Sequence, residues 1–143
     1  NAQLGQRLGL LATGRFGEQE LGFIGHPAAG PGFDDAQALA HHLEHVLNRP
    51  VTQVGQAQTA IKNIAWCSGG AQGYFEAAIA AGAQAFITGE ISEPQAHLAR
   101  ECGVVFYACG HHATERYGAP AMAAHVAARL GIAHQFIEID NPA

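Results

Sequence analysis

Two histidines and a glutamate stand within five positions in Gly110-His111-His112-Ala113-Thr114-Glu115. His111 and Glu115 are four apart, so a helical turn would place both side chains on one face. A neutral imidazole and a carboxylate side by side suit zinc, iron or manganese. Two donors do not complete a coordination sphere, and a surface turn whose His and Glu meet only water competes with that reading. The preceding run, Val104-Val105-Phe106-Tyr107-Ala108, is β-branched, aromatic and small, which reads as a buried strand halted at Gly110. Side chains just past a strand end are held in fixed directions, and that suits chemistry.

Two further strand ends carry polar or flexible residues: Ser68-Gly69-Gly70-Ala71-Gln72-Gly73 and Thr88-Gly89-Glu90. In α/β sheets ligands gather beyond the carboxyl ends of strands, so the three stretches are expected to converge. Backbone amides of the first loop could cradle an anion. The pattern Ser68-x-Gly70-x-x-Gly73 also resembles a dinucleotide fingerprint, but Ser68 stands where Gly is wanted, and small residues that merely allow a sharp turn explain it as well. Glu90 fits either a helix cap or a carboxylate behind a metal ligand. His97 reads as a helix-surface residue. His41 and His45 form an i, i+4 pair, which could clip a metal, although histidines on the flank of an amphipathic helix more commonly meet solvent. Cys67 and Cys109 read as core thiols with no identifiable base.

The elements that must position these residues follow from periodicity. Leu4, Leu8 and Leu11 suggest a short amphipathic helix, followed by a turn over 13–19 and a strand over 20–24. The Pro- and Gly-rich stretch 26–32 reads as a loop. Asp34 or Asp35 then caps a helix running to about Asn48, with Ala36, Leu39, Ala40, Leu43 and Val46-Leu47 inward. Strands are expected over 51–54, 61–67, 84–88, 104–108 and 134–139. Helices are expected over 71–81, 94–102 and 120–130, the last with Met122, Ala123, Val126, Ala127 and Leu130 on its apolar face. This alternation implies a layered α/β domain with a mostly parallel sheet and helices packed on it.

Composition bounds the rest. A chain of 143 residues is one domain's worth, able to bury roughly two-thirds of its unfolded surface. With 48% hydrophobic and 13% charged residues it is globular, and a net charge of −5 argues against general nucleic-acid binding or an acidic membrane surface. No apolar run is long enough to span a bilayer, and three scattered cysteines suggest reduced thiols, so a cytoplasmic protein is expected. Residue 1 is Asn, and the opening stretch reads as a continuation, so residues 1–143 are expected to be a single domain forming the C-terminal part of a longer chain.

Three motifs in order carry a family resemblance: Ile64-Ala65-Trp66-Cys67-Ser68-Gly69-Gly70-Ala71-Gln72, Ala85-Phe86-Ile87-Thr88-Gly89-Glu90-Ile91-Ser92-Glu93, and Gly110-His111-His112-Ala113-Thr114-Glu115-Arg116. Together they resemble the C-terminal half of the dinuclear-metal proteins known as type 2 GTP cyclohydrolase I homologues, a NIF-three-like family. The ending Phe136-Ile137-Glu138-Ile139-Asp140-Asn141-Pro142-Ala143 resembles its proteobacterial branch. The resemblance is clearest from residue 62 onward.

It implies an α/β protein that assembles as a toroidal homohexamer and holds two adjacent divalent ions (zinc, iron or manganese), with His111 and Glu115 among the ligands. His112 stands where the family often has Tyr and is not taken as a ligand. The family's other ligands, a His-His pair and an Asp, lie upstream of this sequence, and none of His26, His41, His42 and His45 sits in that motif. The chain therefore carries under half of the implied metal site, and this piece alone is expected to be inactive. Two functions are carried forward: a metal-dependent hydrolase acting on a small nucleotide-like substrate, and a non-enzymatic, ring-forming metal-binding module that serves partners or metal handling.

Overall fold

The computed structural model describes residues 1–57, 59–139 and 141–142. Helix α1 (Ala2–Arg7) stops before Gly9, whose φ of 67° turns the chain directly into strand β1 (Leu10–Phe16). A 3-10 turn (Glu18–Glu20) returns it as β2 (Gly22–Pro27), paired antiparallel with β1 and carrying an irregularity between Ala12 and Gly14. The expected helix forms but ends at Arg7 rather than reaching Leu11, and the expected turn over 13–19 is strand as far as Phe16 and turn only beyond it. As an edge strand, β1 buries only Leu10 and Phe16, at its two ends, so it shows no alternation to read.

Helix α2 (Ala36–Leu47) forms as its pattern dictates. The Asp35 carboxylate accepts the Ala38 amide at 2.7 Å, and Asn48 ends the helix in the left-handed region. Leu39, Leu43 and Leu47 are fully buried, each burial contributing about 1.5–3 kcal/mol. The remaining elements are β3 (Thr52–Val54), β4 (Ile64–Trp66), a 3-10 turn (Gln72–Tyr74) running into α3 (Phe75–Ala80), β5 (Ala85–Thr88), α4 (Glu93–Cys102), β6 (Val105–Ala108), α5 (His111–Glu115) and α6 (Gly118–Leu130).

The six strands lie in the order β1-β2-β4-β5-β6-β3. The α/β architecture is as expected, but the sheet is mixed: β4, β5 and β6 are parallel neighbours, whereas β1–β2, β2–β4 and β3–β6 pair antiparallel. Parallel pairs need a crossover, and only α3 and α4 supply one between neighbouring strands. Along the central strands side chains alternate between two faces. Ile64, Trp66, Ile87, Val105 and Tyr107 meet Leu4, Leu8 and the leucines of α2, while Ala65, Phe86 and Phe106 meet Phe75, Ala78 and Ala99 of α3 and α4.

Two expectations at the C-terminal end are corrected. Residues 134–139 form no strand, because β3 already occupies the outer edge of β6. The apolar face expected to pack inward from α6 is exposed at Met122, Val126 and Leu130, with only Ala127 buried. Among the described residues, no helix is long and apolar enough to cross a membrane.

Candidate metal centre

The carboxyl ends of β4, β5 and β6 are tied together by short hydrogen bonds. The Gly69 carbonyl accepts the Gly89 amide at 2.9 Å and the Thr88 hydroxyl at 3.0 Å, while the Gly69 amide donates to Thr114 Oγ1 at 2.8 Å. The Gly110 amide in turn donates to the Gly89 carbonyl at 2.8 Å. Gly89 has no room for a side chain: a β-carbon there would meet the Gly69 carbonyl and the His111 backbone, each 2.7 Å away. The three stretches singled out by sequence therefore form one cluster, as expected.

On this frame α5 projects His111 and Glu115 from one face. His111 Nδ1 donates to Glu90 Oε1 at 2.5 Å, which leaves Nε2 facing Glu115 Oε2 at 3.2 Å. That spacing matches two donors each about 2.1 Å from a shared ion. A carboxylate on the far nitrogen is the usual means of fixing a ligating imidazole. Glu90 is itself met by Gln72 Nε2 at 3.3 Å, and helix α4 starts at Ser92 without a side-chain cap bond, so Glu90 serves His111 rather than the helix. The hydrogen bond from His111 lowers the pKa of Glu90, and the same bond raises that of His111, aided by the charge on Glu115. The donor chemistry thus fits a divalent ion. Among the described residues no group of three candidate ligands comes together.

Other candidates fall elsewhere. Two amides of the 68–73 loop are already taken, Ser68 by Asn1 Oδ1 and Gly69 by Thr114 Oγ1, and the loop leads into a 3-10 turn. His41 pairs with Gln37, His42 donates to the Leu8 carbonyl, and His97 lies beside Glu93 on the surface. His112 turns away from Glu115 toward Glu138. Cys67 and Cys109 are buried, and burial pushes the Cys109 thiol up to about 12, as suits core thiols. No role for Asn1, Gln72 or Thr114 is legible from sequence, because their partners lie 18 to 67 positions away.

The whole arrangement has relatives. The family model for Duf34/NIF3 (NGG1p interacting factor 3) matches residues 1–142. The chain belongs to the Duf34/NIF3 family. A GTP cyclohydrolase 1 type 2 homolog of Neisseria meningitidis is 46% identical over 143 residues, covering 100% of this chain and 56% of its own length. A protein of the same name from Pseudomonas aeruginosa is 42% identical over 149 residues, again covering 100% and 56%. Protein ybgI, described as of unknown function, superposes with a TM-score of 0.91 at 38% identity, over 100% of this chain and 56% of that one. The chain spans about half the length of the curated relatives it matches.

Proposed function

We propose that this NIF3-family chain contributes His111 and Glu115 to a dinuclear divalent-metal centre of a metal-dependent hydrolase. The observation that carries this reading is the Glu90–His111–Glu115 line, in which one imidazole nitrogen is held by a carboxylate and the other is aimed at a second carboxylate. The ions' remaining ligands come from outside these residues, as the family resemblance implies. When bound, a divalent pair acidifies water and polarises the bond to be hydrolysed. This chain's own part is to keep the proton on His111 Nδ1, present Nε2 on the side of Glu115, and hold Glu115 on a short helix braced by Thr114. The relatives' name makes GTP the first substrate to try. A cytoplasmic homohexamer belongs to the same proposal, supported by free cysteines and an exposed apolar face.

Elemental analysis of the whole protein tests the ligand assignment. His111→Ala should remove most bound metal, and unchanged metal content would return α5 to a solvated turn. Metal-loaded protein should hydrolyse GTP or a simple phosphoester. Retained metal without turnover of either would favour the non-enzymatic, ring-forming module.

A further inference from the structure

Beside the His111–Glu115 pair lie two arginines and a histidine that the proposed metal centre does not use. Arg49, Arg116 and His112 line one cavity of about 230 Å³ together with Glu138. The chain has 7 Lys and Arg residues and a net charge of −5, so two arginines in one small cavity concentrate charge against the overall balance. Arg116 Nη1 donates to Glu138 Oε1 at 3.2 Å, and His112 Nε2 stands 3.5 Å from the same oxygen. Arg49 donates to the Pro142 carbonyl at 3.2 Å and packs against Gly110, where any side chain would strike its guanidinium. Arg49 also lines the adjoining cavity shared by Glu90, Gly110 and His111. A cationic wall therefore runs from Arg116 through Arg49 to the edge of the candidate metal centre.

We propose that Arg49, Arg116 and His112 form an oxyanion subsite for the phosphate of a small-molecule ligand, and that Glu138 fills it until that ligand arrives. The ligand's approach to His111 and Glu115 rests on the proposed metal centre; the subsite itself does not. Glu138 shows that the pocket accepts an anion, because its carboxylate already sits there. Its side chain is 50% exposed against 25% for Arg116, so the carboxylate is the partner better placed to leave. Residues 132–139 belong to no helix or strand, so lifting them breaks few backbone bonds. A phosphate brings more charge and more acceptor oxygens than a carboxylate, and the guanidinium fork matches it geometrically. The small cavity and net negative charge favour a small phosphate ester over nucleic acid.

Calorimetric titration of inorganic pyrophosphate into the chelator-treated whole protein tests this. Glu138→Gln should tighten binding about threefold or more, by removing the competing charge. Arg116→Ala should weaken it about tenfold or more, and Arg116→Lys should lose less, since it keeps the charge but not the fork. Pyrophosphate should also speed amide hydrogen exchange over 134–139 as that segment is displaced. Should Arg116→Ala fail to fold, the Lys variant and Glu138→Gln carry the comparison. Affinity unmoved by Glu138→Gln and by the folded Arg116 variants, or no binding to the Glu138→Gln protein, overturns the subsite while normal metal content leaves the metal centre standing. Responsive pyrophosphate binding without metal uptake does the reverse.

Discussion

A carboxylate that accepts the Nδ1–H hydrogen bond of an imidazole determines which nitrogen is left for a ligand, and at His111 that carboxylate is Glu90. The bond raises the His111 pKa above 6.5 and lowers that of Glu90 below 4.5. The signs set the pH window. A raised histidine contributes stability in full below its unfolded value and loses it as pH climbs through the raised value. A lowered glutamate contributes above its unfolded value and loses it as pH falls through the lowered one. The pair is therefore charged and mutually favourable between the two folded values. Both side chains are over a third exposed, so water screens the attraction and its effect on stability is small. NMR titration of the metal-free protein should place His111 above 6.5, and Glu90→Gln should bring it down toward that value. A His111 pKa indifferent to Glu90→Gln would remove Glu90 from the site.

At the scale of elements, the site depends on how closely three strand ends approach. Gly69 has a φ of 70°, and a β-carbon there would run into the Glu115 carboxylate. Gly103, with a φ of 66°, has nothing within 4 Å of such an atom, and so isolates backbone strain from contact. Gly103→Ala should cost about 1–2 kcal/mol and leave metal content unchanged. Gly69→Ala should cost more and also displace Glu115, reducing bound metal. Equal thermal midpoints and equal metal content in the two variants would show that the close approach does not hold Glu115 in place. This scale also shows what sequence makes legible. The apolar runs of β5 and β6 could be read because both their faces are buried, and the capped α2 because burial on one face imposes a helical period. Strand β1 could not, since its central side chains face solvent and its order comes from pairing with β2. The convergence of strand ends was legible as a consequence of α/β alternation, as was the His111–Glu115 face. The brace from Thr114 to Gly69 was not, because it joins side chain and backbone 45 positions apart.

At the scale of the molecule, most of the large exposed apolar side chains among the described residues lie at the C-terminal end. Met122 and Leu130 of α6 are 64% and 68% exposed, and Ile137 and Ile139 beyond it are 69% and 71% exposed. Only Ala127 of α6 is buried, so the stripe that would normally seat a helix on its neighbours is turned outward here. An amphipathic helix gains most of its stability from burying that stripe, and monomers rarely leave so many large apolar side chains along one stretch of chain. Association would bury this surface, and a closed ring of identical copies does so without leaving an open end. The family resemblance implies that the whole protein is a homohexamer, and the exposed surface predicts that residues 1–143 alone are at least a dimer. Light scattering separates the two claims. A monodisperse monomer of the whole protein would refute the ring. A monomer of residues 1–143 alone would refute only the second claim, and would mean that contacts outside these residues are needed to build the ring. Met122→Glu with Leu130→Glu places two charges on the exposed stripe, where little intrachain packing is lost. It should shift the mass measured by scattering downward while leaving the far-ultraviolet circular dichroism unchanged, and an unaltered mass would place the interface elsewhere.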